Sequence, residues 1–420
     1  MRHSLVFDQY NTRLEENCAD KKVSAGKLRV VMVTSGFPSV QNPTLGVFNF
    51  RAARTLSEVC QIRAIHLRTW LPGRPSITSS EWKGVSRITV TVPQIPALDE
   101  VNLAVYGLLG WRYLSAVFKN CDLVHSVGID FASVLASRWA NRARVHHVAQ
   151  IVGSDLNCQR SRAKLLITSI KHTHAVACNS SALRTAFLRI YPEARNVWKV
   201  WRGVDLQKFH PDGSAAGPFA DRSPTRFLYL GGFPNSPKLP HGKNTKGGET
   251  LLDAWKRAGN ALSDSSLLIA NLPSGDRQVE KWRASLPFPR QVELMGPLHP
   301  DAVPGYLRAC DAVLVPSLQE GLPNVALEAC ACGRAVFGTT AGGLPEIIEH
   351  GHTGLILPPG DVEALKNALV AYARQPSDLR AMGQRARSRM ETYFDAKNYA
   401  AQMLEIYQQA LREPLGQVGT

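Results

Sequence analysis

The sequence predicts an α/β protein of two Rossmann-like, doubly wound domains, and three observations carry that prediction. A buried-strand pattern, Leu28–Val33 (LRVVMV), opens one strand–loop–helix series. A second series opens at Arg226–Leu230 (RFLYL). Between them, residues 206–225, with Pro211, Gly213, Gly217 and Pro224, have the composition of a linker. A chain of 420 residues is long enough for each series to bury its own core.

Taken in order, residues 1–26 are polar and mixed in charge and read as a loosely ordered extension. They lack the apolar core of a signal peptide. The first domain spans 27–205. Its opening strand leads through Thr34-Ser-Gly-Phe-Pro to Gly46, and a helix follows over Val47–Val59. Ile62–Leu67 and Ile88–Val92 are strands by apolar content. Ala97–Phe118 is a helix rich in apolar and aromatic residues, among them Leu103, Tyr106, Leu108, Leu109, Trp111 and Tyr113. Two readings fit it: a helix packed on the core, or a greasy face that lies on a membrane or holds a lipid acceptor. Gly107 and Gly110 weaken a free-standing helix and favour the first. Leu123–Val127 and Val145–Val152 are further strands, and Gly153-Ser-Asp155 follows the second at a strand's end, where open parallel sheets bind ligands. Ala175–Cys178 is a strand, Asn179-Ser-Ser181 caps a helix, and Trp198–Trp201 leads into Arg202-Gly-Val-Asp205.

The second domain spans 226–395. Gly231-Gly232 follows its first strand, then a Pro- and Lys-bearing loop reaches the helix Glu249–Ala258. Leu267–Ala270, Val292–Met295, Ala312–Val315 and Ala335–Phe337 supply short strands. Asp361–Arg374 and Leu379–Glu391 are helical, and residues 396–420 hold a final helix, Lys397–Leu411, and a tail.

The run Asp311–Glu349 carries most of the chemistry. A buried strand ends at Pro316-Ser317, and Pro323-Asn324 opens a helix, where the missing proline N–H has no partner to lose. Glu320 and Glu328 lie eight residues apart across that turn. Amides at a helix start hold phosphate. A carboxylate beside them repels phosphate and suits neutral hydroxyls. Phosphate on the helix and hydroxyls on two carboxylates describe a nucleotide sugar.

Glu320-Gly-Leu-Pro-Asn-Val-Ala-Leu-Glu328 resembles the E-x7-E motif of retaining glycosyltransferases of family 4, the group 1 glycosyltransferases, which have the GT-B fold. Gly342-Gly343-Leu344-Pro345-Glu346, Gly351-x-x-Gly354, Gly-Val-Asp205 with Phe209, and Lys246-Gly247 are similar to the same family. The resemblance covers roughly residues 28–411 and is strongest over 226–365. It implies two domains facing a cleft, with the last helix crossing back to the first. It implies a retaining, metal-independent transfer from a nucleotide-diphosphate sugar, UDP- or GDP-linked, with no cofactor and no metal.

In that picture Glu328 holds the ribose and Glu320 the sugar hydroxyls. Lys246 and amides near Gly321, Leu322, Pro323, Asn324, Val325 and Ala326 meet the diphosphate. A fixed ammonium stabilises charge that grows as the leaving group departs. Backbone near Gly296-Pro297-Leu298 selects the base. Gly46 and Gly153 belong to the acceptor or phosphate loops of the first domain, and Asp155 is a catalytic candidate. Two positions depart from the family: Gly232 replaces an arginine, which leaves Lys246, helped by Lys238 or Lys243, to meet the diphosphate, and Val152 replaces a histidine. His125, His146 and His147 cannot be given that histidine's role from sequence.

Composition narrows the classes further. Gly242-x4-Gly247 is followed by Gly248-Glu249, not Lys-Ser/Thr, so it is no triphosphate loop. No G-x-G-x-x-G follows the first strand and no Asp-x-Asp is present. None of the eight cysteines forms C-x-x-C or a zinc spacing, so buried, reduced thiols are expected. Of the net charge of +15, residues 27–200 carry 22 Lys+Arg against 8 Asp+Glu, a balance of +14. Arg160, Arg162, Lys164 and Lys171 form a basic run within that half. Such a half suits an anionic partner. A pyrophosphate-bearing saccharide or lipid-linked acceptor, or an acidic membrane surface, fits better than nucleic acid, because no recognition module accompanies the charge. No apolar run reaches the about 20 residues of a membrane span, so a cytoplasmic protein, peripheral at the inner face of the membrane, is expected. The pathway expected is bacterial polysaccharide or glycolipid synthesis. A nucleotide-sugar epimerase of the same fold, or a non-catalytic sugar-binding protein at the membrane, are the alternatives.

Overall fold

The computed structural model describes residues 26–70, 76–93, 99–153, 156, 170, 172–219, 224–232, 245–272 and 276–415. It divides into two compact units. One comprises residues 1–178, 184–200 and 400–420, the other 179–183 and 201–399.

The first unit holds a sheet of eight strands: β1 Arg29–Thr34, β2 Gln61–Trp70, β3 Ser76–Trp82, β4 Val85–Pro93, β5 Leu123–Val127, β6 His146–Ile151, β7 Ala175–Cys178 and β8 Val197–Lys199. Their order is β3-β4-β2-β1-β5-β6-β7-β8, parallel throughout except for β3 against β4. The strand β3 was not foreseen. Its residues are mostly exposed, so it lacks the apolar alternation of a half-buried strand. The tight turn at Lys83 and Gly84, both with positive φ, pairs it to β4. The helices are α1 Val47–Leu56, α2 Asp99–Lys119, α3 Phe131–Ala143 and α4 Ser181–Ile190.

Alternate residues of these strands, Val31 and Val33, Ile65 and Leu67, Ile88 and Val90, point into one core with Leu103, Tyr106, Leu114 and Phe118 of α2 and Trp139 of α3. Gly110 does not break α2. A Cβ there would stand 2.4 Å from the Trp139 ring, so the glycine admits the indole, whose Nε1 donates to the Gly107 carbonyl at 3.2 Å.

The second unit holds six parallel strands: β9 Thr225–Tyr229, β10 Ser265–Ile269, β11 Val292–Leu294, β12 Ala312–Leu314, β13 Ala335–Thr339 and β14 Gly354–Leu357. Their order is β11-β10-β9-β12-β13-β14. Its helices are α5 Gly248–Ala258, α6 Arg277–Ala284, α7 Val303–Ala309, α8 Asn324–Ala331, α9 Leu344–Ile347, α10 Val362–Tyr372 and α11 Pro376–Tyr393. The last helix, α12 Ala396–Arg412, begins in the second unit and ends among the residues of the first. Phe227, Tyr229, Leu314 and Phe337 feed one core, and Leu228, Val313 and Val336 feed another on the opposite face. A strand buried on both faces needs this unbroken apolar content.

In each sheet the order in which strands are added reverses while the strands stay parallel, between β1 and β5 and between β9 and β12. An Arg–Asp pair locks each reversal. Arg29 donates its backbone N–H to Asp122 Oδ2 at 2.8 Å and its Nη2 to Oδ1 at 2.6 Å, while the Asp122 amide donates back to the Arg29 carbonyl. Arg226 and Asp311 repeat the pattern, with the Arg226 amide 2.9 Å from Asp311 Oδ2. Asp311 is buried, and Asp122 is half-buried. Asp311→Ala leaves a buried amide unpaired and should cost about 3 kcal/mol of stability in the second unit. Asp122→Ala should cost about 1 kcal/mol, since its pair is more exposed. Urea unfolding of the two variants checks the ranking.

Of the histidines that sequence left unassigned, His125 and His147 are buried and His146 is partly exposed, and all three are hydrogen-bonded. His147 Nε2 meets Ser126 Oγ at 2.9 Å and its Nδ1 meets Thr173 Oγ1 at 3.1 Å. His125 bridges Gln150 Oε1 and the Tyr407 hydroxyl of α12. Burial, then the neighbouring His174, His125 and His172, push His147 down to about 3. The unfolded chain therefore binds the extra proton, and stability falls as pH drops from about 6.5. At pH 5 the loss from His147 alone is about 2 kcal/mol. Urea midpoints at pH 7.5 and 5 should show the loss, and His147→Gln should reduce the difference between them.

Candidate active site

The candidate site forms where the second sheet reverses, at the carboxyl ends of β9 and β12. Open α/β sheets bind ligands at such a crevice because adjacent loops diverge there and leave room between them. Gly231 and Gly232 leave β9, and Val315–Glu320 leave β12.

Lys246 and Glu320, 74 positions apart in sequence, meet there. Lys246 Nζ lies 2.7 Å from Glu320 Oε1. The ammonium side chain is 46% exposed and the carboxylate side chain 7%, so the cation faces outward over a nearly buried acid. Ser317 Oγ donates to the same oxygen at 2.8 Å. Ser317 is itself fixed, because Thr339 Oγ1 donates to its carbonyl at 2.6 Å.

Backbone contacts hold these loops together. The amides of Leu318 and Gln319 donate to the Thr245 carbonyl. Gly247, at φ +71°, presses so closely on this loop that a Cβ would stand 1.8 Å from the Pro316 carbonyl oxygen. The Lys246-Gly247 pattern is therefore a steric requirement as well as a chemical one. Gly342, at φ +55°, would put a Cβ 2.0 Å from the Glu320 carbonyl oxygen, and the Gly343 amide donates to Gly321 at 2.7 Å. Tyr229 closes the floor, its hydroxyl donating to the carbonyls of Gly232 at 2.9 Å and Lys246 at 3.3 Å.

Pro323 caps α8 and Asn324 starts it. Ala326 and Leu327 donate to the Pro323 carbonyl and are the first intrahelical donors. Of the amides expected at the diphosphate, that of Ala326 is thus already engaged, while those of Asn324 and Val325 precede the ladder. Glu328 lies about one turn into the helix and is half-buried. Burial pushes the thiols of Cys330 and Cys332 up to about 12, so neither is a ready nucleophile. The described cysteines Cys60, Cys121, Cys178, Cys310, Cys330 and Cys332 are all buried and unbridged.

The loop Gly296-Pro297-Leu298 follows β11 and is held by Asn271, a residue sequence reasoning passed over. Asn271, at φ +64°, accepts from the Leu298 amide at 2.9 Å and donates to the Leu230 carbonyl at 3.1 Å. An asparagine two residues past a buried strand, a residue type that tolerates positive φ, was the available signal. A Cβ added at Gly232 meets nothing within 4 Å, so backbone crowding does not explain that departure from the family.

The first unit presents a second reversal, between β1 and β5. Ser35 donates to Asp130, which caps α3 through the amides of Ala132 and Ser133. Gly46, the N-cap of α1 at φ +60°, lies against Gly36, whose carbonyl oxygen would be 2.2 Å from an added Cβ. Gly153 follows β6. Asp155, Lys238, Lys243 and the run Arg160, Arg162, Lys164 and Lys171 lie outside the described residues. Among the described residues no group of three or more His, Cys, Asp or Glu is arranged to hold a metal ion.

Residues 227–375 match the family model described as glycosyl transferases group 1. The N-acetyl-alpha-D-glucosaminyl L-malate synthase of Bacillus anthracis is 34% identical over 113 residues, 27% of this chain and 30% of that protein. The MMP alpha-(1->4)-mannosyltransferase of Mycolicibacterium hassiacum is 27% identical over 280 residues, 66% of this chain and 62% of its own length. These matched stretches thus cover less than two thirds of either relative. Among solved structures, sucrose-phosphate synthase from Thermosynechococcus elongatus superposes with a TM-score of 0.70 at 20% identity, covering 91% of this chain and 98% of that one. Anabaena Alr3699/HepE in complex with UDP-glucose gives a TM-score of 0.66 at 16% identity, covering 90% and 98%. The chain therefore carries a group 1 glycosyltransferase domain over residues 227–375, and its two parallel-sheet α/β units have the GT-B fold.

Proposed function

We propose that this protein is a retaining, metal-independent glycosyltransferase that moves a sugar from a nucleotide-diphosphate sugar to a saccharide or lipid-linked acceptor. The observation that carries the proposal is the Lys246–Glu320–Ser317 cluster at the reversal of the second sheet. Among the described residues both donors to Glu320 fall on Oε1. Its Oε2 is then the oxygen to accept from a sugar hydroxyl. Lys246 meets the diphosphate, a role its exposure beside Glu320 supports, and the Asn324 and Val325 amides assist it. Glu328 takes the ribose hydroxyls. The loop Gly296-Pro297-Leu298, fixed by Asn271, lies beside the base.

In this mechanism the bond from the anomeric carbon to the diphosphate oxygen breaks as the acceptor oxygen bonds to the same face. The acceptor proton passes to the departing phosphate oxygen. No side-chain base is required, which leaves Glu320 and Glu328 as positioning groups for the donor. The charge that develops on the diphosphate is met by Lys246 and helix amides, so these residues supply what a divalent cation would otherwise supply. The UDP-glucose in the HepE complex favours a uridine donor here. A polysaccharide pathway gains support from a 33% identity over 121 residues to the amylovoran biosynthesis glycosyltransferase AmsK of Erwinia amylovora.

A thermal-shift panel of nucleotide diphosphates and their sugars identifies the donor, because a ligand that binds only the folded state raises its stability. With that donor, Glu320→Gln should lower kcat about a hundredfold, because a charge-assisted hydrogen bond to the sugar becomes a neutral one. Near-normal transfer would remove Glu320 from the site. Lys246→Ala should lower kcat/KM about a hundredfold with the intact donor and should abolish most of the thermal shift given by the free nucleotide diphosphate. Unchanged donor kinetics would remove Lys246. The anomeric configuration of the product, read by NMR, decides retention.

A further inference from the structure

We infer that the outward face of helix α2 is a docking surface for an anionic lipid bilayer. One face of the helix, through Leu103, Tyr106, Leu114 and Phe118, belongs to the core of the first unit. The opposite face should then be polar, as on an ordinary surface helix. It is not. Val101, Val105, Leu108 and Leu109 are 46%, 42%, 66% and 38% exposed. Spaced by four, three and one, with exposed Ala104 among them, they form a single stripe free of charge.

The stripe ends in cations. Arg112 and Lys119 continue the same face and are exposed. Helix α3 packs beside α2 and adds exposed Arg138 and Arg142. The Arg142 guanidinium lies 4.8 Å from the centre of the Trp111 ring on α2, so a cation and an aromatic amphiphile stand together at the edge of the stripe. Helix α2 opens with two acids, Asp99 and Glu100, and carries none after them; from residue 101 to residue 153 the acids are Asp122, bound to Arg29, and Asp130, bound to Ser35 and the start of α3. No exposed carboxylate of this segment stands free to repel an anionic surface.

Charge decides between occupants. A second copy of this chain would bring the same arginines against themselves, at a Coulombic cost. An anionic bilayer answers both features, with acyl chains for the stripe and headgroups for the arginines. Among the described residues no helix is long and apolar enough to cross a membrane, so the contact would be interfacial.

The test is co-sedimentation of the full chain with vesicles of phosphatidylcholine alone and of phosphatidylcholine with phosphatidylglycerol. Binding should require the anionic lipid and fall with added salt. The double variant Val105→Asp/Leu108→Asp should weaken binding at least tenfold through lost apolar burial. Arg112→Ala/Arg142→Ala should weaken it about twenty-fivefold, at roughly fivefold for each cation. The second variant leaves the apolar stripe and the core face intact, so it remains informative if the aspartates impair folding. Glu320→Gln should bind vesicles as the unaltered chain does, which separates docking from sugar transfer. No binding to anionic vesicles, or binding indifferent to both double variants, overturns the inference. So does a concentration-dependent dimer in sedimentation velocity that Val105→Asp/Leu108→Asp converts to monomer, because the face is then covered by a second copy.

Discussion

An arginine on the first strand of each unit is gripped by an aspartate across the point where the sheet reverses, and the site loops depend on that grip. Arg29 with Asp122 and Arg226 with Asp311 use both backbone and side chain, so each pair fixes register as well as proximity. In the second unit the pair sets Phe227 opposite Ala312 and Leu228 opposite Val313. At the far ends of those strands the chain must then emerge as neighbouring loops, one carrying Gly231-Gly232 and the other Ser317 and Glu320. The two units repeat even the residue before the aspartate: Cys121 and Cys310 are both buried, each with Sγ donating to a carbonyl three residues earlier. The pairs are not equal, however. Asp311 is buried and Asp122 is not, so the lock at the start of the strands that lead to Lys246 and Glu320 is the one that a substitution can least tolerate.

From that fixed register the second constraint is closeness of backbone. Gly247 against Pro316 and Gly342 against Glu320 leave no room for a Cβ. The glycines next to the candidate catalytic groups therefore act on shape first: they let three loops approach until Lys246 and Ser317 reach the same carboxylate oxygen. A side chain at Gly247 would move Lys246 away from Glu320 without altering either charge. Precision of this kind matters because misplacement of about 1 Å can cost about a hundredfold in rate.

How much of this was legible follows from what each feature rests on. Strands buried on both faces announce themselves as unbroken apolar runs, and Leu123–Val127 and Ala175–Cys178 form over the expected residues. The edge strand Ser76–Trp82 was not legible because it buries little and owes its pairing to the Lys83-Gly84 turn. In the site, Glu320, Lys246 and the glycines stand in recognisable patterns. Ser317, Thr339, Asn271 and Tyr229 do not, since each acts through a partner that only the folded chain brings near. Helix α2 shows the limit of composition most clearly. Core packing holds on one side, and the opposite side exposes Val101, Val105, Leu108 and Leu109, so the two features that composition set against each other occupy different faces. Gly110 looked like a weakness and is the seat of Trp139.

The distribution of charge bears on the same division of labour. Residues 201–420 carry 23 basic and 22 acidic side chains, although they contain Lys246 and the whole E-x7-E run. In the proposed function a diphosphate is met by one ammonium and helix amides, whose effect is local, and no general excess of cations is needed. Residues 27–200 carry 22 against 8. Screening limits exposed charges to roughly 10 Å, so the excess acts on whatever touches the first unit's own surface. An uncharged stripe rimmed by Arg112, Arg138 and Arg142 is the part of that surface where charge and apolar exposure coincide. Repulsion among such cations is a standing cost to the compact state, and contact with an anionic surface is what would offset it.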